Sequence, residues 1–399
     1  MGKQTLLQRA TEHIFSTGLD DSGARLGLAN MKYGLAKIHL AQEAFGLAPD
    51  ATFISAPDLT VTRNLSRWQS GFGYGGRLTW GNGQQELIVL DLKPNCCGML
   101  VGGLDRLPAR DTLLQRVQTL QSEELGVDGI PLKWDFGHSN HFITLFRITP
   151  LLPHTPTLLP YAFVMHGSGS ELRGETAWGD GLYWDRSESL RRKAEILETP
   201  FGLLRLLTGQ AAREYYAFCQ RADGFAKKRR LLVARRLFDD FTPYNNETHQ
   251  GLVSMNDMVL GTYLVREGRE TLFPLTLQAR LPAYLVRGRP NLSDAVIERL
   301  GLGERARRLG LYDRLRSANV VPHGGGYTFP HLQDVLSVIE LGQERYFELG
   351  MDANDGRQIA SAVRDLPYAY RGMEVVERVV ELHLGELVAR LDPVYVLKL

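Results

Sequence analysis

The stretch from Val320 to Tyr327 reads V-V-P-H-G-G-G-Y and places His323 directly before three glycines. Glycine adopts positive φ angles and lets the backbone approach a ligand closely, at a cost in conformational entropy. Successive backbone N–H groups in such a turn also bind anions, so this run indicates a phosphate-bearing ligand beside a titratable nucleophile. The plainer interpretation is a glycine-rich turn with an incidental histidine, because glycine is the usual turn residue.

The other histidines favour the functional interpretation. Five of the ten histidines lie in turns rich in glycine, serine or asparagine, and three of these turns adjoin predicted strands. Catalytic residues concentrate on loops held by a rigid scaffold, and imidazole with thiolate suits borderline divalent metals such as Zn²⁺ or Mn²⁺. The pattern therefore predicts a metal site of histidine and cysteine, although no local metal-binding motif fixes its ligands. The five histidines are His138, His141, His166, His249 and His323.

The composition predicts a globular protein of a reducing compartment. Hydrophobic residues make up 44% of the 399 residues, and the formal net charge of +1 neither demands nor excludes a polyanionic partner. Only three cysteines, Cys96, Cys97 and Cys219, are present, which is no disulfide framework. No apolar run approaches the roughly 20 residues of a membrane span. We therefore expect a cytoplasmic protein without a membrane partner.

Apolar periodicity predicts an N-terminal helical segment, over about residues 1–50, packed on the rest of the chain. Its two helices are expected at residues 3–16 and about 23–46. A long amphipathic helix is expected near the end of the chain, over about residues 373–390. Because no internal repeat or linker marks a boundary, residues 1–399 are expected to form one α+β domain.

Two further stretches carry predictions that bear on a functional site. Residues about 186–238 are predicted to be helical, and Lys227 to Arg236 within them is the most basic segment of the chain. A charged, solvated helix face is its default interpretation, and a nucleic-acid groove is the alternative. Tyr244 to Gln250 is predicted to be a polar loop that carries His249.

A series of short motifs follows one order along the chain. They are C-G-M from Cys97, G-H-S-N-H-F from Gly137, M-H-G-S-G-S from Met165, Y-L-V-R-G from Tyr284, H-G-G-G from His323, A-Y-R-G from Ala369, and a final V-L-K. With His249 in its place between them, this order resembles that of the RtcB-type RNA ligases, the tRNA-splicing ligase RtcB family, from about residue 56 onward. Each motif is short, but their shared order and the overall length identify the chain as similar to a divergent member.

The resemblance implies an RtcB-like α+β fold, a single body with a deep cleft for metal and nucleotide. It also implies an RNA ligase of tRNA splicing or RNA repair that uses GTP and Mn²⁺. Such ligases join RNA ends that carry a 2′,3′-cyclic phosphate or 3′-phosphate to 5′-hydroxyl ends. A histidine first takes GMP from GTP, the GMP passes to the RNA 3′-phosphate, and the 5′-hydroxyl displaces it.

The resemblance also assigns roles to individual residues. His323 matches the nucleophile that carries GMP. The residues that match metal ligands are Cys97, His141, His166 and His249. Those that match nucleotide contacts are Asn140, Gly324, Gly325, Gly326, Tyr370 and Lys398. The sequence does not decide between Cys96 and Cys97 as the thiolate ligand.

The chain departs from the family pattern at several positions. The aspartate expected three residues before the cysteine ligand is Pro94, or Lys93 if Cys96 is the ligand, and neither binds a cation. Asp91 or Asn95 could substitute for it, and a site with one metal ion instead of two is the alternative. A glutamate, an arginine and a histidine of the family are replaced here by Thr144, Tyr327 and Thr60.

These departures keep two other functions open. One is an RNA end-binding protein that has lost turnover and binds RNA through Lys227 to Arg236, with a steep salt dependence. The other is a metal-dependent phosphoesterase, in which an activated water attacks instead of His323. The sequence does not indicate the RNA substrate, the nucleotide, an activating protein partner or the oligomeric state.

Overall fold

The computed structural model of the protein describes residues 2–138, 140–153, 158–342, 344–352 and 356–398. Within these ranges the chain folds as a mixed α+β single domain around an 11-stranded mixed sheet. The α+β class expected from the sequence is confirmed. None of the helices in the described ranges combines the length and the apolar character that crossing a membrane requires.

Ten α-helices lie in the described part of the chain. They are α1 (Lys3–Glu12), α2 (Ser22–Ala44), α3 (Leu65–Gln69), α4 (Arg110–Ser122), α5 (Glu188–Lys193), α6 (Gly209–Leu237), α7 (Asp294–Arg299), α8 (Gly303–Arg308), α9 (Tyr312–Arg316) and α10 (Met373–Glu381). Four short 3₁₀ helices accompany them, at Leu90–Leu92, Ser170–Leu172, Trp184–Arg186 and Val363–Asp365.

The strands of the described residues alternate with these helices along the chain. The first twelve are β1 (Ile14–Phe15), β2 (Thr52–Thr60), β3 (Tyr74–Thr79), β4 (Leu87–Val89), β5 (Cys97–Leu104), β6 (Gly126–Val127), β7 (Ile130–Pro131), β8 (Phe142–Pro150), β9 (Tyr161–Gly167), β10 (Glu195–Thr199), β11 (Gly202–Thr208) and β12 (Thr242–Ser254). The remainder are β13 (Asp257–Leu260), β14 (Thr262–Leu264), β15 (Leu272–Leu275), β16 (Ala283–Gly288), β17 (Val320–Pro322), β18 (Tyr327–Thr328), β19 (Leu332–Leu341), β20 (Glu344–Met351), β21 (Arg357–Ala360), β22 (Ala369–Tyr370) and β23 (Gly385–Leu397).

The large sheet has the strand order β1-β2-β3-β13-β12-β5-β9-β8-β23-β16-β15. The pair β1 and β2 is parallel, and the other neighbouring pairs are antiparallel. Side chains alternate between the two faces of a strand. Leu100 and Met165 therefore pack against α6, whereas Met99 and Val164 pack on the other face with residues of β16 and β23. Strands β5 and β9 are thus buried on both faces and form a rigid base.

Helices α1 and α2 pack together against β2 at one end of the large sheet. The Asp21 side chain caps α2 by accepting a hydrogen bond from the Ala24 N–H at 2.9 Å. Gly27 brings α2 close to β2, because a Cβ there would lie only 2.8 Å from the carbonyl oxygen of Thr60. The N-terminal segment is thereby fixed on the same sheet that carries the site described below.

Three predicted helices are shorter in the structure than in the prediction. Helix α1 ends at Glu12, because the next residues form β1 beside β2. Residues 195–208 form the hairpin of β10 and β11, with Gly202 at a φ of 94° in its turn. Helix α10 ends at Glu381, and β23 after it lies between β8 and β16. In each case pairing with neighbouring strands outweighs helical periodicity, because propensity is weaker than tertiary contacts.

Candidate functional site

Three adjacent strands of the large sheet bring candidate metal ligands together. Cys97 begins β5, His166 lies near the end of β9, and His249 lies inside β12. The predicted polar loop over residues 244–250 is wrong, because β12 covers it and His249 is fully buried. The polar side chains of this strand hydrogen-bond to α6, which explains how a polar sequence forms a central strand.

The three ligand atoms of Cys97, His166 and His249, the metal group hereafter, lie within 4.8 Å of one another. Cys97 Sγ is 2.9 Å from His166 Nε2, which is 3.2 Å from His249 Nε2. His166 Nδ1 donates to the Asn140 carbonyl at 2.9 Å, so Nε2 of the neutral ring is an acceptor. A buried thiol and two imidazoles that face one another could hold a metal ion, as the sequence predicts.

Cys97, and not Cys96, faces the metal group. Burial alone would raise the pKa of the Cys97 thiol, but the nearby His166 and His249 hold it well below its ordinary value. Cys96 has a φ of 55° and packs in an apolar cluster with α6, where burial raises the pKa of its thiol well above the ordinary value. Because the thiolate is the form that binds metal, Cys97 is the candidate ligand.

His141 lies at the edge of the metal group. Its Nε2 is 3.8 Å from Cys97 Sγ, and its Nδ1 is 3.0 Å from Asp135 Oδ2. Arg229 donates to Asp135 Oδ1 at 2.6 Å and to Glu171 Oε1 at 2.8 Å. A carboxylate that accepts from one ring nitrogen fixes the histidine tautomer and orients the other nitrogen toward a metal. A buried chain of ionic contacts thus positions the fourth predicted ligand.

His323 stands beside the metal group. Its ring centroid lies 4.3 Å from that of His249, and its Nδ1 lies 2.8 Å from Asp58 Oδ2. Burial alone would lower the pKa of His323, but the hydrogen bond and charge of Asp58 raise it above the ordinary value. The same carboxylate oxygen accepts the backbone N–H of His323 at 3.3 Å. With Nδ1 held by Asp58, Nε2 is the nitrogen left for chemistry.

A cleft that is partly open to solvent adjoins His166 and His323. Apolar side chains form much of its wall, among them Met99, Phe142 and Leu281. The six residues predicted to contact a nucleotide also line it: Asn140, Gly324, Gly325, Gly326, Tyr370 and Lys398. The structure therefore brings the predicted nucleophile, the metal group and the predicted nucleotide residues to one place.

Packing alone requires glycine at two positions of the loop after His323. A Cβ on Gly325 would lie 2.5 Å from the carbonyl oxygen of Arg371. A Cβ on Gly326, whose φ is 66°, would lie 2.5 Å from the carbonyl oxygen of Asp58. The loop approaches the protein's own main chain this closely only because side chains are absent. Part of the pattern that suggests a phosphate ligand is therefore explained by packing.

The described residues place no further carboxylate in the metal group. Asp91 is buried and accepts from Arg205, through the backbone N–H at 3.0 Å and the guanidinium at 3.2 Å. Lys93 is also buried and pairs with Asp185 at 2.5 Å. Neither side chain joins Cys97 in the metal group, which fits the alternative of a site with one metal ion.

The basic segment Lys227 to Arg236 is not simply a solvated face. It belongs to α6, and its Arg229 and Arg230 are buried. Arg230 donates to the carbonyl of Gly167 at 3.0 Å and to Asn246 Oδ1 at 2.8 Å. Both interpretations of the sequence, a solvated face and a nucleic-acid groove, are wrong at these two arginines, because α6 packs them against the strands of the site.

Sequence reasoning missed Asp58 and Asp135 as partners of site histidines. Asp58 lies in the stretch P-D-L-T, and Asp135 lies in W-D-F-G, just before the motif that begins at Gly137. An acidic residue in each stretch was the available signal for a partner of a site histidine. Their partners depend on which strands become neighbours, and the motifs do not specify this. His138, which the sequence groups with the other loop histidines, is exposed and lies outside the metal group.

Comparison with known proteins assigns no family: no protein-family model matches the sequence, and no curated protein matches it either. The resemblance carried by the short motifs stays a prediction. The geometry of the cleft and its histidines therefore carries the functional proposal.

Proposed function

We propose that this protein is a divergent RtcB-like RNA ligase, with an RtcB-like fold, that joins RNA 2′,3′-cyclic phosphate or 3′-phosphate ends to 5′-hydroxyl ends. The observation that carries the proposal is the pair of His323 and Asp58, buried in a cleft and beside His249 of the metal group. A histidine oriented by a carboxylate is an activated nucleophile. Its place beside a candidate metal group suits attack on a phosphate.

In the proposed reaction, Asp58 accepts the Nδ1–H of His323 and keeps the Nε2 lone pair directed to the ligand. Nε2 attacks the α-phosphate of GTP, a P–N bond forms, and pyrophosphate leaves with the electron pair of the broken P–O bond. Where the end is a 2′,3′-cyclic phosphate, water first breaks its P–O2′ bond and leaves a 3′-phosphate and a 2′-hydroxyl. An oxygen of the RNA 3′-phosphate then attacks the GMP phosphorus, the P–N bond breaks, and His323 is freed. Attack by the 5′-hydroxyl forms the new phosphodiester and releases GMP.

The metal group would hold one ion, Mn²⁺ in this proposal, through Cys97, His166 and His249, with His141 as a further ligand. When bound, the ion supplies charge neutralisation for the reacting phosphate. The contacts of Asp135 and Asn140 orient His141 and His166 for this task.

The test is covalent labelling of the purified protein with Mn²⁺ and GTP labelled in the α-phosphate. We expect an acid-labile, hydroxylamine-resistant adduct that is absent from His323→Ala. His331→Ala is the matched control, because this exposed histidine lies outside the cleft, and it should label like the wild-type protein. Failure to form an adduct with any nucleoside triphosphate would exclude the ligase.

A phosphoesterase is the second candidate, and the observation that favours it is the absence of a second-ion carboxylate among the described residues of the metal group. One ion with an open position can activate a water for attack on a cyclic phosphate. Hydrolysis of a 2′,3′-cyclic phosphate by the His323→Ala variant would support it. RNA binding with neither adduct nor hydrolysis would instead indicate an RNA end-binding protein.

A further inference from the structure

Three tyrosines form a cluster at the edge of the cleft. The ring centroid of Tyr327 lies 5.0 Å from that of Tyr368 and 5.1 Å from that of Tyr370, and those of Tyr368 and Tyr370 are 5.8 Å apart. Tyr327 and Tyr370 also line the cleft. Tyr368 and Tyr370 are each 38% exposed, so the cluster continues from the cleft onto the surface.

A positive charge belongs to this cluster. The guanidinium of Arg63 lies 4.4 Å from the ring centre of Tyr368 and 5.9 Å from that of Tyr327. Arg63 also donates to the Tyr368 hydroxyl at 2.8 Å. Arg63 is exposed, and among the described residues no carboxylate pairs with it. Its charge is therefore available to an anionic ligand that reaches the tyrosines.

The cluster is held by the backbone and not only by ring contacts. Strands β18 and β22 pair so that Tyr327 lies directly opposite Tyr370. The Thr60 hydroxyl donates to the Tyr327 carbonyl at 2.6 Å and accepts its N–H at 3.2 Å. Thr60 therefore fixes the backbone segment that carries Tyr327.

We propose that Tyr327, Tyr368 and Arg63, the tyrosine platform hereafter, bind unstacked bases of single-stranded RNA next to the cleft, whereas Tyr370 keeps its predicted nucleotide contact. Aromatic side chains stack on any base, and an arginine beside them contacts the phosphates. A cationic ligand is disfavoured, because Arg63 already lies over the rings. The inference rests on the proposed action on RNA, and it assigns the platform to the RNA strand.

The test is the affinity of the full-length protein for a fluorescent oligouridylate of about 12 nucleotides with a 3′-phosphate, a length within the range of single-strand sites. We expect Tyr368→Ala and Arg63→Ala each to weaken binding about tenfold, the size of one lost stack. Tyr368→Phe keeps the ring and should bind within about twofold of the wild-type protein.

The matched control is Tyr312→Ala on α9, which removes a ring that Arg307 covers at 4.4 Å outside the cleft. It should leave the affinity unchanged. A photoreactive uridine in the same oligonucleotide should cross-link to the platform of the wild-type protein, which tests the inference without any variant. Unchanged affinity in Tyr368→Ala, or cross-links confined to other segments, would overturn it.

The outcome is separable from that of the ligase proposal. RNA affinity is measured without nucleotide, and covalent labelling of His323 is measured without RNA. If His323 is labelled but the platform variants bind RNA as tightly as the wild-type protein, the platform is refuted and the ligase proposal stands. Platform-dependent binding without labelling supports the platform and refutes the ligase reaction. A wild-type protein that binds no single-stranded RNA refutes the platform whatever the labelling shows.

Discussion

Asp58 holds His323 through two of its N–H groups, the ring Nδ1–H and the backbone N–H. One side chain therefore sets both the orientation and the electrostatic environment of the proposed nucleophile. The Oδ1 atom of Asp58 is buried and has no hydrogen-bond partner among the described residues. Burying a carboxylate costs free energy unless it is paired or hydrogen-bonded. The hydrogen bonds of Asp58 with His323 offset that cost.

Asp58→Asn should slow nucleotide labelling of His323 by about 100-fold or more, because the amide no longer holds the Nδ1–H tautomer that leaves Nε2 free to attack. The amide keeps the shape of the carboxylate but removes the charge that raises the pKa of His323. The rate of adduct formation under single-turnover conditions measures this effect. Metal content and thermal stability should remain close to those of the wild-type protein, and an unchanged labelling rate would refute the role of Asp58.

Lys37 offers a residue-scale prediction away from the site. Its side chain is buried, and its Nζ donates to the Leu203 carbonyl at 3.0 Å. Burial lowers the pKa of Lys37 from 10.5 to about 7. Between these values the unfolded chain binds a proton that the folded protein does not, so this lysine makes stability rise with pH over that window.

Lys37→Met should therefore raise the melting temperature most at pH 6, where the folded protein carries the buried charge. A gain of about 1–4 kcal/mol in the free energy of unfolding is expected there, the range for replacing buried charges by apolar groups. The gain should shrink as the pH rises through 7 toward 10. Equal gains at pH 6 and pH 9, in thermal melts of variant and wild type, would contradict the assignment.

At the scale of elements, α6 supports the site from the far side of the sheet. Its Arg229 is almost fully buried between Glu171 and Asp135, whereas Arg236 on the same helix is half exposed. Breaking a buried ion pair leaves an unpaired buried charge, but an exposed pair contributes little. The two arginines of one helix should therefore differ sharply in what their removal costs.

Arg229→Met should lower the free energy of unfolding by about 3–5 kcal/mol, because two buried carboxylates lose their partner. Arg236→Met should change it by less than about 1 kcal/mol. Urea unfolding of both variants measures the difference. Equal small effects would mean that the carboxylates find other partners, and that α6 does not support the site through Arg229.

Element prediction succeeded where a local pattern and the fold agree. Helices α1, α2 and α10 begin at or within one residue of the expected positions, because their apolar periodicity matches the face that they bury. The prediction failed at β12, where contacts with Lys227 and Arg230 bury a polar sequence. It also failed at β10 and β11, because the turn at Gly202 was overlooked. These failures share a cause, since the partners lie far away in sequence.

At the scale of the whole molecule, the metal group joins three neighbouring strands, β12, β5 and β9. An ion bound there links segments that are distant along the chain, and the unfolded chain has no such preformed site. A ligand that binds only the folded state stabilises it by about 2.7 kcal/mol at 100 times its Kd. Metal binding should therefore appear in the stability of the entire domain.

Mn²⁺ should raise the melting temperature of the wild-type protein by several degrees and bind at one ion per chain. Cys97→Ala should abolish both effects. Cys219→Ala is the matched control, because Cys219 is also buried but lies on α6 outside the metal group. Metal analysis and thermal melts with and without Mn²⁺ measure this. If the Cys97→Ala variant still binds the ion, the metal group is not the Mn²⁺ site.

The composition of the site was partly predictable, and its connections were not. The motifs named Cys97, His166 and His249, which lie together in the structure. They did not establish that Asp58 contacts His323, because the two residues are 265 positions apart and meet only when β2 and β17 become neighbours. They also could not choose between Cys96 and Cys97, because only the folded structure packs Cys96 in an apolar cluster with α6 and places Cys97 beside His166.

The position of β23 has a consequence for protein synthesis. This strand pairs with β8 on one side and β16 on the other, so the sheet has a gap until its residues are available. During synthesis, all three residues of the metal group are translated long before β23 is available to close this gap. Chains truncated ahead of β23 should therefore be unstable and be cleared by quality-control proteases.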